Sequence, residues 1–166
     1  MNDYGIAQIC LNGHLLTSKS NVGELVQNFC SNCGESIIST CPHCSTPIRG
    51  SYREKSHITG IDYRYFNGRY LTPSYCYNCG SAFPWTQRSK EAATELINLS
   101  NDLSESEKTD FKESIEDLIH DTPKTSIALI KFKKYAAKAG GEIAKGLKDI
   151  LIDLVSESVK KAIWQN

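Results

Sequence analysis

The sequence predicts a small, metal-stapled α+β protein, with short β-hairpins in the first half and three to four helices in the second. Two observations support this prediction. All seven cysteines of the 166-residue chain lie before residue 80, whereas apolar residues recur at helical spacing after residue 85. The change occurs at Phe83-Pro84-Trp85. We therefore expect two regions, residues 1–85 and residues 86–166.

The cysteines form four groups with the spacing of metal ligands. Three groups are Cys-x-x-Cys pairs, and the fourth is a Cys-x-x-x-His motif. Seven cysteines and one histidine supply eight ligands, the number that two tetrahedral zinc sites require. The first region is therefore predicted to be a double zinc ribbon that binds two structural Zn²⁺ ions. The predicted ligands are Cys10, His14, Cys30, Cys33, Cys41, Cys44, Cys76 and Cys79.

Zinc fits these cysteines better than disulfide bonds or redox chemistry do. The number of cysteines is odd, and repeated Cys-x-x-Cys pairs are typical of metal sites. A redox Cys-x-x-Cys motif would lie in a βαβ pattern, which this sequence lacks. Gly34 and Gly80 follow two of the pairs, and glycine suits the left-handed residue that closes a zinc knuckle.

The spacing allows two ways of pairing the ligands. Fifteen residues separate His14 from Cys30, and seven separate Cys33 from Cys41. Seven residues are enough to cross from one site to another at roughly 3.3 Å per residue. This favours sequential pairing, in which the first four ligands share one ion and the last four share the other. A nested pairing, with Cys30–Cys44 as one compact site, remains the alternative.

Two hairpins are predicted between the ligands. Leu15–Thr17 and Leu25–Val26 would form the arms of the first. Tyr63–Leu71 reads as the second, with Asn67-Gly68 as its type I′ turn. Ribbons of this size bury little apolar area, which is why they depend on metal ions.

The first two predicted helices have recognisable starts. Thr86 is a candidate N-cap for a helix that continues through Ala92, Ala93, Leu96 and Ile97 to about residue 99. Ser104-Glu-Ser-Glu107 forms a capping box for the second. The apolar face of that second helix consists of Phe111, Ile115, Leu118 and Ile119.

The third predicted helix starts with Thr122 as N-cap and Pro123 at the first helical position. Gly140-Gly141 interrupts the pattern and is a possible hinge. The fourth segment then runs without a break to the end of the chain. The stripe of the third helix includes Ala128, Phe132, Tyr135 and Ala139. The face of the fourth consists of Ile143, Leu147, Ile150, Leu151, Leu154, Val155, Val159 and Ile163.

The motifs around the ligands are similar to those of a known bacterial family. These motifs are Cys-x-x-Gly-His, Phe-Cys-x-x-Cys-Gly, Cys-Pro-x-Cys followed by Ile48-Arg49-Gly50, and Tyr-Cys-x-x-Cys-Gly-x-x-Phe-Pro-Trp-Thr. They resemble bacterial double-zinc-ribbon proteins, a family catalogued as a domain of unknown function. The similarity continues through Asp121-Thr122-Pro123 to Val159-Lys160-Lys161. The resemblance implies two zinc ions and a bacterial cytosolic setting, and it supplies no catalytic residue.

Charge and composition restrict the functional classes. The formal net charge is zero, and seven thiolates with two Zn²⁺ ions would lower it to about −3. A general nucleic-acid binder usually has a basic excess instead. No apolar run approaches the roughly 18 residues of a membrane span, and the first ten residues do not resemble a signal peptide. With reduced, paired cysteines, we expect a cytoplasmic protein without a transmembrane segment.

Charge is also segregated within the helical region. Residues 86–121 carry four basic and ten acidic side chains, whereas residues 122–148 carry seven basic and one acidic. We expect the acidic second helix to lie beside the basic third, so that each reduces the field of the other. The alternative is a basic helix that binds anionic lipid or nucleic acid.

These features predict a non-enzymatic interaction protein. Complete ligand sets leave no open position of the kind that catalytic zinc needs, and phosphate-binding glycine loops are missing from the sequence. The eight large residues of the last face would each gain roughly 1.5–3 kcal/mol on burial. We therefore expect a protein partner, or a second copy of the chain, to bind through residues 123–163.

The alternative function is nucleic-acid binding by an arginine- and tyrosine-rich ribbon hairpin. Stacking on aromatic rings together with guanidinium groups is how proteins hold single strands. The same side chains would otherwise fill a thin sheet as cross-strand pairs. The residues concerned are Arg49, Arg53, Tyr63, Arg64, Tyr65, Phe66, Arg69 and Tyr70.

Overall fold

The structure is a computed structural model that describes residues 4–21, 23–55, 63–65 and 68–164. Strands occupy the first part of the chain and helices the second, which confirms the predicted α+β class. The chain divides into two compact units, Met1–Gln87 and Arg88–Asn166. No helix among the described residues is long and apolar enough to cross a bilayer.

The first unit contains an antiparallel sheet built around β1. Six of the seven residues of this strand are buried, because β1 pairs with β2, with β3 and with β4. β5 extends the sheet by pairing with β4, and the strand order is β2-β1-β4-β5. The strands are β1 (Tyr4–Cys10), β2 (Leu15–Ser20), β3 (Ile37–Ile38), β4 (Arg49–Lys55) and β5 (Tyr63–Tyr65).

Both predicted hairpins differ from the observed pairings. Leu25 and Val26 form no strand, and their side chains are exposed. β2 instead pairs with β1 across the turn between Cys10 and His14. In the second prediction, Tyr63–Tyr65 is a strand but pairs with β4, and residues 68–71 form no strand. Asn67 of the predicted turn lies outside the described residues. The two errors have the same form: the observed partner strand, β1 for β2 and β4 for β5, was not among the predicted arms.

Gln8 is a fully buried polar side chain in the middle of β1. Its Nε2 donates to Ser20 Oγ at 2.8 Å and also to the carbonyl oxygen of Glu24. Its Oε1 accepts from the backbone N–H of Val26 at 3.1 Å. A buried amide that lost these partners would cost about 1–3 kcal/mol. Gln8 therefore holds the segment that leads from β2 towards Cys30 against the sheet.

The second unit consists of helices whose predicted apolar faces are buried. Phe111, Ile115, Leu118 and Ile119 on one helix and Ala128, Phe132, Tyr135 and Ala139 on the next are all buried, as predicted. Phe111 contacts both Phe132 and Tyr135, with ring centroids 5.4 and 5.5 Å apart. The helices are α1 (Pro84–Asn98, which begins in the first unit), α2 (Glu105–His120), α3 (Thr125–Ala139), α4 (Gly141–Leu151) and α5 (Glu157–Trp164).

The helix starts are partly as predicted. The capping box of α2 is present, with Ser104 and Glu107 each accepting from the other's backbone N–H. Thr86 is not an N-cap, because α1 already begins at Pro84 and Thr86 is fully buried within it. α3 begins at Thr125, and its N-cap position is Lys124 rather than Thr122. The carbonyl oxygen of Thr122 instead accepts from the Thr125 N–H at 2.9 Å and closes the turn that precedes α3.

The predicted fourth helix is two helices. α4 ends at Leu151, and α5 begins at Glu157 with Ser156 Oγ accepting from the Val159 N–H at 3.4 Å. The apolar period continues across the break, which is why the sequence suggested one helix. None of the eight residues of the predicted face is exposed, and Leu147, Leu151 and Val159 are almost completely buried.

The acidic α2 and the basic α3 are paired as predicted. Lys138 Nζ lies 2.7 Å from both carboxylate oxygens of Glu107. Lys131 and the Tyr135 hydroxyl both donate to Asp110. These contacts hold the pKa values of the two carboxyl groups below their usual range, mainly through the lysine hydrogen bonds, and that of Glu107 falls to about 2.

The Glu107 contact predicts a pH-dependent contribution to stability. The folded pKa of Glu107 is about 2, and the usual value for glutamate is about 4.3. The contribution is therefore complete above about pH 5 and is lost as the pH falls towards 2. Glu107→Gln keeps a capping acceptor but removes the charge. We expect it to lower the free energy of unfolding at pH 7 and to match the parent near pH 2.

Urea unfolding followed by far-UV circular dichroism at several pH values measures this difference. Glu105→Gln is the control, because the Glu105 side chain is 89% exposed and forms an ion pair with Lys108 of its own helix. A difference between parent and Glu107→Gln that stays constant with pH would contradict the assignment.

Candidate metal centres

The first cluster joins the β1–β2 turn to the first Cys-x-x-Cys pair. Its members are Cys10, His14, Cys30 and Cys33. His14 Nδ1 lies 3.5, 3.6 and 3.3 Å from the sulfur atoms of Cys10, Cys30 and Cys33. The sulfur atoms of Cys10 and Cys33 are 3.7 Å apart. The four ligand atoms thus surround a single point.

The second cluster joins the other two Cys-x-x-Cys pairs. Its members are Cys41, Cys44, Cys76 and Cys79. The sulfur atoms of Cys41 and Cys79 are 3.7 Å apart, as are those of Cys44 and Cys76. The ligand atoms of each cluster lie within 4.8 Å of one another. The structure thereby groups the ligands in sequential order, not in the nested order.

The distances fit a four-coordinate metal ion in both clusters. A tetrahedral ion with bonds of about 2.3 Å to sulfur and about 2.05 Å to nitrogen would place two sulfur atoms about 3.75 Å apart and a nitrogen about 3.55 Å from a sulfur. The observed separations of 3.7 Å and of 3.3–3.6 Å match these values. Both ligand sets could therefore hold a metal ion.

The three Cys-x-x-Cys pairs share one backbone geometry. The N–H of the residue after the second cysteine donates to the carbonyl oxygen of the first at 2.8–2.9 Å. That residue has a positive φ in each case: 75° at Gly34, 58° at Ser45 and 73° at Gly80. Serine at the middle position explains why the glycine signal marked only two of the pairs. The left-handed residue turns the chain so that both sulfur atoms face one ion.

Hydroxyl groups two residues after the second cysteine support two of the sulfur atoms. The Thr46 hydroxyl lies 3.3 Å from Cys44 Sγ and lowers the pKa of this thiol to about 6. Ser81 lowers the pKa of Cys79 in the same way. Neither residue was predicted from the sequence, although the spacing Cys-x-Thr or Cys-x-Ser would have revealed both.

The buried thiols have the opposite shift. Burial raises the pKa of Cys41 to about 11 and also raises that of Cys10. A buried thiolate without a cation is unfavourable, and a metal ion compensates for this cost while it releases the thiol protons. Metal binding at these clusters should therefore weaken as the pH falls.

Each cluster also lies in a small apolar core. Cys10 and Cys30 pack with Ile37 in one core. Cys41 and Cys76 pack with a second group that includes Ala7, Ile9, Ile48, Phe83 and Trp85. The ligands are thus part of the packing, and loss of an ion would disturb the surrounding apolar side chains.

The start of α1 positions the chain before Cys76. Trp85 Nε1 donates to the carbonyl oxygen of Pro73, and Thr86 Oγ1 donates to that of Ser74, both at 2.9 Å. Trp85 also stacks on Phe83 with centroids 4.7 Å apart. This explains why the Phe-Pro-Trp-Thr motif follows the last pair. Its hydrogen bonds fix the position of Pro73 and Ser74, which lie just before the last two ligands.

The other histidines among the described residues, His43 and His120, do not join the clusters. His43 lies between Cys41 and Cys44 but is exposed and outside both ligand sets. His120 is half-exposed at the end of α2, with Nε2 3.5 Å from Glu116. His57 lies outside the described residues.

The arginine- and tyrosine-rich surface is only partly assembled as predicted. The Arg49 guanidinium lies between the rings of Tyr4 and Tyr77, 4.6 and 4.2 Å from their centroids. The hydroxyls of Tyr65 and Tyr70 donate to the backbone oxygens of Lys19 and Arg49. Arg53 Nη1 donates to Asn21 Oδ1 at 3.0 Å. Phe66 and the side chains of Tyr63 and Arg64 lie outside the described residues, whereas Arg69 is exposed.

The fold and the clusters together define a two-part protein with paired four-ligand cysteine sites. A family model described as "Uncharacterized protein conserved in bacteria (DUF2321)" matches residues 3–163. The chain belongs to this bacterial family, which confirms the resemblance seen in the cysteine motifs. Searches of curated proteins and of solved structures returned no match.

The cluster membership predicts which cysteines lose protection when His14 is replaced. His14→Ala should speed alkylation of Cys30 and Cys33 by more than roughly tenfold, since loss of even an outer partner weakens metal binding about 10–100-fold. Cys76 and Cys79 should react at the parent rate. Mass spectrometry of peptides after timed treatment with iodoacetamide measures both pairs.

His43→Ala is the matched control, because this histidine is exposed and belongs to neither cluster. Faster alkylation of Cys76 and Cys79 in the His14 variant would show that the ligands are nested after all.

Proposed function

We propose that the protein binds two structural Zn²⁺ ions and serves as a non-enzymatic interaction module that associates with another copy of itself. The observation that carries this proposal is the completeness of both ligand sets, together with exposed apolar side chains on α3. Each part of the proposal has its own support.

Zinc is the ion that best suits these ligands. Tetrahedral sets of four cysteines, or of three cysteines and one histidine, are typical of structural zinc sites. Iron also binds tetrahedral thiolate sets. Zinc is favoured here because one set includes a histidine and because the ligand atoms of each cluster are spaced for a single ion. The ligand atoms of each cluster lie within 4.8 Å of one another, which suits one ion per cluster.

A structural role follows from the number of ligands. Catalytic zinc has three protein ligands and leaves one position for water or substrate. Each cluster here supplies four, so the proposed ions would have no open position. The ions would stabilise the ribbon by folding-coupled binding, and we propose on this basis that the chain is not an enzyme.

The proposed contact surface is the exposed side of α3. Ile127 and Ile130 lie on adjacent positions of this helix surface and are 59% and 71% exposed. Large apolar side chains grouped in this way often mark protein interfaces. Because none of the eight apolar residues from Ile143 to Ile163 is exposed, the exposed large apolar side chains within the described part of residues 123–163 are those of α3.

The charge of the zinc-bound form also favours a protein partner. The chain is neutral without metal, and thiolate-bound zinc would make it negative by about three charges. Nucleic acid is the second candidate because Tyr4 and Tyr77, both exposed, flank Arg49. Binding of a single-stranded oligonucleotide that falls steeply with salt would favour this alternative.

Replacing the two isoleucines tests the proposed interface. Ile127→Gln/Ile130→Gln should convert a concentration-dependent mixture of monomer and dimer into monomer, because it removes apolar area from the contact. Light scattering coupled to size-exclusion chromatography measures the mass at several protein concentrations. Leu25→Gln/Val26→Gln, another exposed apolar pair, should leave association unchanged. A parent protein that is monomeric at every concentration would contradict self-association.

A further inference from the structure

A groove in the helical unit combines an apolar floor with a basic rim. It has a volume of about 370 Å³ and lies between α3, α4 and α5. Its floor is formed by Phe132, Ala136, Ala144, Ile163 and Trp164. Its rim carries Lys133, Lys145 and Lys148.

The size and lining of the groove are those of a small-molecule site. Such sites usually have volumes of roughly 300–1,000 Å³ and a mainly apolar wall with a few polar groups. Two other cavities in the described part of the chain have volumes of about 210 and 180 Å³. Phe132 and Trp164 contact each other edge to face, with ring centroids 6.2 Å apart, and the small side chains of Ala136 and Ala144 complete the apolar lining.

The three rim lysines, one on α3 and two on α4, differ from two other lysines of α3. Lys131 and Lys138 pair with Asp110 and Glu107 of α2. No ion pair with a carboxylate of the described residues is found for the three rim lysines. Three positive charges at the edge of an apolar surface select a ligand that is itself amphipathic and anionic.

We infer that this groove binds one acyl chain whose carboxylate head group contacts the rim lysines. The apolar floor offers inorganic phosphate or a nucleotide too few polar partners. A partner helix would need a row of anchor side chains along its length, whereas one compact groove suits one chain. The inference concerns the helical unit alone and does not depend on which metal the ribbon binds.

Titration of the full chain with sodium dodecanoate, decanoate and octanoate tests the inference. The concentrations are kept below micelle formation, and isothermal calorimetry measures the affinity. The affinity should rise about fourfold for each added methylene, as burial of an alkyl chain requires. Dodecyltrimethylammonium, which has the same chain and the opposite charge, should bind at least about tenfold more weakly because the rim is basic.

Two variants locate the site. Ala144→Leu should fill the groove and abolish binding, and Lys145→Gln/Lys148→Gln should weaken dodecanoate about tenfold while leaving dodecyltrimethylammonium no weaker. Lys124→Gln/Lys161→Gln is the matched control, since these exposed lysines do not line the groove. Far-UV circular dichroism verifies that each variant is folded. Amide NMR shifts caused by dodecanoate in the parent should cluster on α3, α4 and α5 and include the Trp164 indole N–H.

Several results would overturn the inference. These are equal affinity for both head groups, no dependence on chain length, unchanged binding in the Ala144→Leu variant, or NMR shifts confined to the surface around Ile127 and Ile130. An acidic amphipathic peptide of about 18 residues, five turns of helix, that binds the same groove more tightly than dodecanoate would indicate a protein-docking site instead.

Discussion

The first unit, Met1–Gln87 (the ribbon unit), depends on one constraint. Seven sulfur atoms and one nitrogen must converge on two points. Cys10 and Cys41 are buried, and burial raises the pKa of both thiols, so the apolar cores around them are best satisfied when a cation is bound. β1 connects the cores of the two clusters, because it ends at Cys10 while Ala7 and Ile9 belong to the core around the second cluster. The small sheet then follows from these two centres, and Gln8 secures the segment between them.

The helical unit is stabilised in a different way. Phe111, Phe132 and Tyr135 form an aromatic centre, and lysines of α3 pair with carboxylates of α2. Such partly exposed pairs contribute little individually, and the face of α3 that lies against α2 is the one that includes Phe132 and Tyr135. Ile127 and Ile130 are exposed on another part of α3, and the side towards α4 and α5 carries the groove. One helix therefore provides the unit's core, its proposed interface and its proposed ligand site.

The sequence predicted features that local chemistry determines and missed which strands pair and where the last helix breaks. Cysteine spacing was sufficient for both ligand sets, because a Cys-x-x-Cys turn places two sulfur atoms on one ion whatever surrounds it. The α2 capping box was equally local. The hairpins were wrong because β2 and β5 pair with β1 and β4, which were not among the predicted arms. The break between α4 and α5 was missed because Ser156 caps α5 without glycine or proline and without interrupting the apolar period.

The central claim is that two zinc ions, one in each cluster, hold the ribbon unit together. Native mass spectrometry of the full chain, purified without chelator and treated with a thiol reagent before and after metal removal, tests it most directly. We expect a mass increase of two zinc atoms, no reactive thiol in the metal-bound protein and seven reactive thiols after chelation. A single ion, a different metal, or seven protected thiols after chelation would contradict it.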